Sequence, residues 1–276
     1  MRYVVAVSGG VDSVVLLDML SKKQVGDLIV THFDHGIRPD SSMDAEFVAN
    51  LAKKYNLPFE IKREELGANA SEELARDRRY EFLQSVAKKH NARIVTAHHA
   101  DDAIETVAIN LTRGTGWRGL AVLDSGVVRP LLDKTKTEIL DYAKKHSLEW
   151  HEDSTNLEDS YLRNRLRRHL AAIDDDTRRQ LLALRANQVR LRAMIDDEAK
   201  NLVGEDVEYS RYFFIQISSL VAIECLRYVT KGLLTRPQLE RLLLAVKTAR
   251  SNTVHEAGNG VELSFTARNF TVKVVK

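Results

Sequence analysis

The sequence has one cysteine, no long apolar run and almost no net charge, and each absence excludes a class of protein. Cys225 alone rules out an internal disulfide, a four-cysteine zinc site and a Cys-x-x-Cys redox pair. No apolar run approaches the roughly 20 residues of a membrane span, and the first residues lack the basic start and cleavage site of a signal peptide. We therefore expect a cytoplasmic protein with no membrane partner.

The charge balance directs attention to local patches rather than to the whole chain. The 276 residues include 41 Lys+Arg and 39 Asp+Glu, for a net charge of +2, so any nucleic-acid binding requires a local basic surface. With 44% hydrophobic and 29% charged residues, the composition is typical of a folded chain of about two domains.

The first half of the chain alternates short apolar runs with amphipathic stretches. Five runs are predicted as strands: Arg2–Val7, Asp27–Asp34, Pro58–Lys62, Arg93–Ala97 and Val127–Leu131. Amphipathic helical patterns lie between the runs. This alternation predicts an α/β fold, with a Rossmann-like parallel five-stranded sheet and helices on both of its faces.

The second half of the chain has a different texture. Residues 174–202 contain no Gly or Pro and predict one long helix, and Asn259-Gly260 between alternating segments predicts a hairpin. We therefore divide the chain into an α/β domain at 1–170, a helical linker at 171–205 and a small α+β C-terminal domain at 206–276.

Polar clusters follow three of the predicted strands, at the edge of a parallel sheet where ligands bind. The first is Ser8-Gly9-Gly10-Val11-Asp12-Ser13, the second is Thr31–His35, which includes Asp34, and the third is His98–Asp102. Two glycines between a strand and a helix let successive N–H groups face an anion, so the first cluster predicts a phosphate site. The alternative for a bare Gly-Gly turn is a tight turn that is capped by Asp12 or Ser13.

An acidic helix face is predicted after the fourth strand. His98, Asp102 and Glu105 are spaced i, i+4 and i+7, which places an imidazole and two carboxylates on one face of a helix. Such a face holds Mg²⁺ or orients a base. The alternative is that Asp101 and Asp102 only complement the helix dipole. Zinc at the neighbouring histidines is disfavoured, because nothing in the sequence shows that they converge.

A basic stretch follows the α/β half. Nine arginines and three aspartates lie between residues 163 and 192, a local charge of +6. A solvated helix face is the usual fate of such runs. Few carboxylates are interleaved with Arg163, Arg165, Arg167 and Arg168, however, which leaves them free for the phosphates of a nucleotide or an RNA.

Together these motifs resemble the tRNA(Ile)-lysidine synthases of the PP-loop ATP pyrophosphatase group. The loop at 8–13 is similar to that of the wider group. The stretches that resemble the lysidine synthases in particular are His32–Arg38, Ala75–Tyr80, Thr96–Thr106, Arg113–Leu120, Arg129–Leu132 and Glu152–Arg165. The match runs in register from about Val4 to Leu170 and more loosely near 234–244. One departure is Lys136, which stands where the family often has an arginine.

The resemblance implies an ATP-dependent ligase that joins L-lysine to C2 of cytidine 34 in tRNA(Ile) with a CAU anticodon, through an adenylated intermediate. It implies ATP and Mg²⁺ as cofactors, a catalytic domain at 1–170 and a tRNA-binding domain at 206–276, and it leaves a homodimer open. The implied catalytic residues are Asp12, His98, Asp102, Glu105, Arg113 and Arg163. The implied nucleotide-binding residues are Ser8, Gly9, Gly10, Val11, Asp12, Ser13 and Asp34, and the implied metal ligands are Asp12 and Asp102.

Three rival readings remain. A tRNA thiolase adenylates a base in a similar way, but that chemistry relies on paired cysteines or an iron–sulfur cluster, which one cysteine does not supply. An AMP-forming ligase of small molecules does not explain the arginine-rich stretch. A non-catalytic nucleotide- or tRNA-binding module does not explain why His98, Asp102 and Glu105 are present together.

Overall fold

The computed structural model describes residues 1–36, 41–67, 70–124, 126–151, 170, 172–205 and 207–275, without the side chains of residues 41 and 72. These residues form two compact units, Met1–Gln188 and Val189–Lys276. Within the described ranges, no helix has the length and apolar character needed to span a membrane.

The first unit is built on a parallel sheet. Its strands are β1 (Arg2–Ala6), β2 (Asp27–Asp34), β3 (Phe59–Arg63) and β4 (Arg93–Val95), in the order β3-β2-β1-β4. Its helices are α1 (Val11–Lys22), α2 (Ser41–Lys54), α3 (Glu72–His90), α4 (Ala100–Thr112) and α5 (Lys136–Lys145), with a short 3₁₀ helix at Trp117–Leu120. All pairings in this sheet are parallel. The α/β class is confirmed.

Both faces of the sheet are covered, as the apolar strands predict. Side chains alternate across a strand, so Val4 and Val5 of β1 point to opposite faces although both are fully buried. Val5 packs with residues of α1, α2 and α5. Val4 packs with Phe82 and Leu83 of α3. The central strand is therefore held by a hydrophobic core on each side, and its carboxyl end is fixed in position.

The prediction of a fifth strand is wrong, because the sheet has four strands among the residues that the structure describes. Residues 127–131 do run parallel to β4, but they pair with it only through the isolated bridges Val95–Val128 and His99–Leu131. Val128 donates its N–H to Ile94 O at 2.8 Å and accepts from Thr96 N at 3.0 Å. Pro130 has no N–H, so a continuous ladder cannot form beyond this point.

The second unit combines helices with an antiparallel sheet. Its strands are β5 (Glu208–Ser210), β6 (Thr253–Gly258), β7 (Val261–Phe265) and β8 (Asn269–Val274), in the order β5-β8-β7-β6. Its helices are α7 (Arg211–Gln216), α8 (Ser219–Val229) and α9 (Arg236–Thr248). The hairpin at Asn259-Gly260 is confirmed, with positive φ at both residues as a type I′ turn requires.

The predicted long helix is α6 (Asp175–Val203). The boundary between the two compact units falls inside this helix, between Gln188 and Val189. The division into domains at 1–170, 171–205 and 206–276 remains a prediction.

A buried guanidinium ties the second unit together and gives a stability prediction. Arg211 donates to Val246 O at 2.8 Å, Ala249 O at 2.8 Å and Thr266 O at 3.0 Å. We expect Arg211→Met to lower the free energy of unfolding by about 3–5 kcal/mol, because three carbonyls, of which that of Val246 is buried, lose a charged donor. Urea unfolding measures it. The control Arg236→Met removes an exposed pair with Glu240 and is expected to cost under about 1 kcal/mol; equal losses would contradict the prediction.

Candidate active site

A cavity of about 450 Å³ lies beyond the carboxyl ends of β1, β2 and β4. Residues from all three predicted polar clusters line it: Ser8, Gly10, Asp12 and Ser13 from the first, Thr31, His32, Phe33, Asp34 and His35 from the second, and His98 and Asp102 from the third. The sheet therefore brings the glycine loop and the acidic start of α4 to one cavity, as the strand-end rule predicts.

The loop between β1 and α1 owes its shape to Gly9 and Ser13. Gly9 has a φ of +97°, a conformation that side-chain-bearing residues rarely adopt. The Ser13 hydroxyl accepts the N–H groups of Ser8 and Gly9, both at 3.2 Å, and donates to Gly10 O at 2.8 Å. Ser13 therefore organises the loop from within, in line with the alternative in which Ser13 caps the turn.

The loop delivers the start of α1 to the cavity. Gly10 is the N-cap and has no side chain to cap the helix, so helix geometry leaves the N–H groups of Val11 and Asp12 without an intrahelical partner, whereas Ser13 N donates to Gly10 O at 3.1 Å. Together with the helix dipole, these groups suit an anion such as a phosphate. Val11 itself packs into the core, so it contributes to the loop through its backbone.

Asp12 and Asp102 both lie near the same nitrogen of one imidazole. His99 Nε2 is 3.5 Å from Asp102 Oδ2 and 3.9 Å from Asp12 Oδ2. Asp102 also accepts the backbone N–H of His99 at 2.9 Å, which caps α4. Asp102 thus has a structural role at the start of α4, which the dipole alternative did not include, and it also lines the cavity. His98 was predicted as a site residue, whereas His99 was not.

Asp12 has a cationic partner from a distant part of the chain. Lys136 Nζ lies 2.6 Å from Asp12 Oδ1. The backbone of Lys136 is fixed in turn, since its N–H donates to Asp101 Oδ2 at 2.7 Å. Arg178 of α6 also binds Asp101. Asp101 therefore joins the starts of α4 and α5 to α6 and serves the site as a structural residue.

The implied Mg²⁺ fits the donors at this cavity. Mg²⁺ in nucleotide sites is held by one or two carboxylates together with substrate phosphates and water. Asp12 and Asp102 supply two carboxylates near one imidazole. Among the residues that the structure describes, no three acidic, histidine or cysteine side chains form a ready-made metal group. The cavity thus suits a cation whose other ligands come with a nucleotide.

His98 lines the cavity in its neutral form. Burial lowers the pKa of His98 to about 4, and Arg129, Arg79 and Arg76 add to this effect against the opposing charge of Asp102. The ring is held by a 2.8 Å hydrogen bond between its Nδ1 and Thr96 Oγ1. At neutral pH the imidazole therefore offers a hydrogen-bond acceptor rather than a charge.

This lowered pKa predicts an unusual titration. Between pH 5.5 and 8 the NMR ring resonances of His98, assigned by their loss in His98→Gln, are expected to stay constant and to shift only as the pH falls toward 4. The unfolded chain binds a proton at His98 below a pKa of about 6.5 while the folded chain does not, so this group costs stability as the pH falls from about 6.5 toward 4. A midpoint near 6.5 in the folded protein would contradict the burial argument.

Asp34 is at the cavity but already has partners. Its carboxylate accepts Gly36 N at 2.9 Å and lies 3.6 Å from Arg63 Nη1. The side chain is almost fully buried. Its predicted contact with the nucleotide remains a prediction.

Two of the remaining predicted catalytic residues, Glu105 and Arg113, are not among the residues that line the cavity. Glu105 is buried in α4 and is not among the lining residues. Arg113 follows the last residue of α4 and is exposed, about 16 Å along the helix from Asp102 at 1.5 Å per residue. Arg163 lies outside the described residues. The roles of these three residues remain predictions.

The charged and histidine lining residues that lie outside the three predicted polar clusters are Asp44, Arg79 and His151, and none of them was predicted as a site residue. His151 donates its backbone N–H to Gly9 O at 3.0 Å, and its Nδ1 lies 2.7 Å from Asp44 Oδ1. Its ring stacks on Phe47 with centroids 4.4 Å apart. No local pattern marks a histidine that reaches a loop 142 residues earlier, whereas Arg79 was noted only within a motif.

Comparisons with known proteins agree with this geometry. Residues 1–173 match the PP-loop domain family. A tRNA(Ile)-lysidine synthase of Thermotoga maritima is 32% identical over 267 residues, which cover 89% of this chain and 64% of the relative. A tRNA(Ile)-lysidine synthase of Thermus thermophilus is 42% identical over 172 residues, which cover 59% of this chain and 34% of the relative. The chain thus spans less than two thirds of the length of these relatives.

One solved structure shares the fold. The U34-tRNA thiolase NcsA from Methanococcus maripaludis superposes with a TM-score of 0.59 and 18% sequence identity, over 69% of this chain and 71% of that one. At this identity the likeness concerns the fold alone.

Proposed function

This chain belongs to the PP-loop domain family, the resemblance of its motifs to tRNA(Ile)-lysidine synthases is confirmed, and from that premise we propose that it is an AMP-forming ligase that makes lysidine. The observation that carries the proposal is the single cavity shared by the loop at 8–13 and by Asp12, His98 and Asp102. The substrates are ATP, L-lysine and tRNA(Ile) with a CAU anticodon, and the compartment is the cytoplasm, where these substrates are found.

The reaction has two steps. Oxygen O2 of cytidine 34 attacks the α-phosphorus of ATP, the bond from that phosphorus to the bridging oxygen breaks, and pyrophosphate leaves. An amine of L-lysine then bonds to C2, the C2–O bond breaks, AMP leaves with the oxygen, and a base takes the proton from the amine. The product reads AUA instead of AUG.

The glycine loop serves the first step. The N–H groups at the start of α1 hold the phosphates, where they stabilise the negative charge that develops on pyrophosphate. Ser13 keeps the loop in the required shape through its three hydrogen bonds. Gly9 supplies the positive φ that this shape requires.

The acidic face serves charge neutralisation. We assign Asp12 and Asp102 to Mg²⁺, which neutralises phosphate charge when bound. His99 lies near both carboxylates, with Nε2 3.9 Å from Asp12 Oδ2 and 3.5 Å from Asp102 Oδ2. The hydrogen bond from His99 N to Asp102 Oδ2 holds this carboxylate in place at the start of α4.

The second step needs a proton acceptor, since only the neutral amine is a nucleophile. We place His98 beside the reacting cytosine and the lysine amine. Because the pKa of His98 is about 4, its imidazole is a weak base, and Glu105 of α4 is the other candidate. Arg113 and Arg163 are proposed to hold the α-phosphate or the base, because a planar guanidinium suits both.

The tRNA and assembly proposals concern the basic part of the chain. We propose that the arginine-rich stretch and residues 206–276 contact the anticodon stem through phosphates, with a homodimer left open. Thiolation is disfavoured further by the place of Cys225, which is fully buried in the core of the second unit.

The test combines the protein with a CAU-anticodon transcript of tRNA(Ile), ATP and isotope-labelled lysine. We expect AMP and pyrophosphate in equal amounts and, by mass spectrometry, one lysine added to cytidine 34. Omission of lysine is expected to leave pyrophosphate release without a stable lysine adduct. A transcript with guanosine at position 34 serves as the control and should give none. Pyrophosphate release that ignores tRNA would instead support a small-molecule ligase.

A further inference from the structure

Lys136 occupies a position that the roles described above do not explain. It is the first residue of α5, after the N-cap Thr135, whose side chain accepts the N–H of Glu138 at 3.2 Å. Its own N–H is bound to Asp101. Its ammonium reaches back to Asp12 at the cavity, although the two residues are 124 positions apart. The hydrogen bonds at the start of α5 therefore hold the ammonium of Lys136 beside the glycine loop.

Helix stability does not account for a lysine here. The start of a helix carries partial positive charge, so a cation in the first turn is unfavourable there. Just over two fifths of the Lys136 side chain is exposed, which makes its pair with Asp12 a weak source of stability. A lysine at this position therefore lowers the stability of α5, and a role in function explains its presence.

The charges that line the cavity indicate the function of Lys136. Its described lining includes the carboxylates of Asp12, Asp34, Asp44 and Asp102, and the guanidinium of Arg79. Asp34 is compensated by Arg63, and Arg79 is close enough to His35 and His98 to lower the pKa of both. Asp44 lies 2.7 Å from His151 Nδ1, and a triphosphate adds negative charge beside Asp12, so a cation at the loop favours its binding. Lys136 contacts Asp12 and therefore lies beside the glycine loop.

We propose that Lys136 binds the β- and γ-phosphates of ATP and the pyrophosphate that leaves, exchanging its contact with Asp12 for phosphate oxygens. This inference rests on the proposed function for its substrate, and it adds a binding residue that acts on the leaving group. A flexible four-carbon side chain with three donors suits such an exchange between two anionic partners. The α-phosphate lies outside its role.

The experiment measures binding of ATP, pyrophosphate and AMP to the full chain by calorimetry. We expect Lys136→Met to weaken ATP and pyrophosphate at least about tenfold, as loss of a charge-assisted contact does, while AMP changes less than about twofold. AMP lacks the two phosphates that Lys136 is proposed to hold. Lys136→Arg is expected to keep most of the affinity for ATP, because the charge is preserved.

The matched control is Lys134→Met, since Lys134 is two residues away and pairs with exposed Asp133. It should leave all three affinities unchanged, and circular dichroism melting should agree for all variants. If Lys136→Met weakens AMP as much as ATP, or leaves ATP and pyrophosphate unchanged, the inference is wrong. Should Lys136→Met not fold, Lys136→Gln replaces it. Failure of the proposed function differs: the wild type would then bind ATP through Lys136 yet form no lysidine.

Discussion

Asp102→Asn is expected to reduce AMP formation at least about 100-fold, with little change in the thermal midpoint of unfolding. The amide oxygen still accepts the His99 N–H, so the cap on α4 survives. The negative charge facing the cavity is lost, and electrostatic groups at reacting phosphates are worth about 10²–10³ in rate. The measurement is single-turnover AMP release with saturating tRNA and lysine, next to a melting curve.

Asp133→Asn is the matched control for that experiment. Asp133 is exposed, with its contact to Lys134 at the weak distance of 3.9 Å, and its amide is expected to change neither rate nor melting. Near-normal AMP release by Asp102→Asn would remove Asp102 from the mechanism. A large loss of stability would reassign it to the helix cap.

Ser13→Ala is expected to have the second-largest effect, and it acts on both stability and binding. Loss of the hydroxyl leaves the N–H groups of Ser8 and Gly9 without their 3.2 Å acceptor, with a cost of about 2–3 kcal/mol in the free energy of unfolding. The loop that presents N–H groups to phosphate then loses its shape, so ATP affinity is expected to fall at least about tenfold. Urea unfolding and calorimetry measure the two effects.

The neighbouring serine distinguishes loop shape from a general effect of hydroxyl loss. Ser8 Oγ accepts Gly10 N at the long distance of 3.4 Å, so Ser8→Ala is expected to cost under about 1 kcal/mol. Similar losses for the two variants would show that Ser13 does not organise the loop.

The parts of the site that follow from local sequence patterns and from the topology of a parallel sheet were predictable from the sequence. Short apolar strands end at polar clusters, and parallel strands bring their carboxyl ends to one edge, so the shared cavity follows from topology. Gly9 was identifiable because a strand-to-helix turn of this kind needs a positive φ. The α/β class and the hairpin at 259–260 follow from the same local rules.

The parts that depend on contacts between distant elements were not predictable. Lys136 and Asp12 meet across 124 residues, and His151 reaches Gly9 across 142, and no periodicity in either segment encodes such contacts. His98, Asp102 and Glu105 were chosen by helical spacing, but α4 begins at Ala100, so His98 lies before the helix. The adjacent His99, as the N-cap, is the imidazole that lies near both carboxylates.

The fifth strand shows how one residue limits a correct pattern. The segment at 127–131 has the composition of a buried strand and does lie beside β4. Pro130 prevents the ladder from continuing, and the chain turns toward α5 at Lys134, whose carbonyl accepts Ala100 N at 2.8 Å. That turn is what brings Lys136 to Asp12.

The most direct measurement is a crystal structure of this chain with Mg²⁺ and an ATP analogue whose α,β-bridge is methylene. If the account is correct, the triphosphate lies at the start of α1, its terminal phosphates contact Lys136, and the carboxylates of Asp12 and Asp102 face the same cation. A nucleotide bound away from the Ser8–Ser13 loop, or one that leaves Asp102 far from its phosphates, would contradict the account.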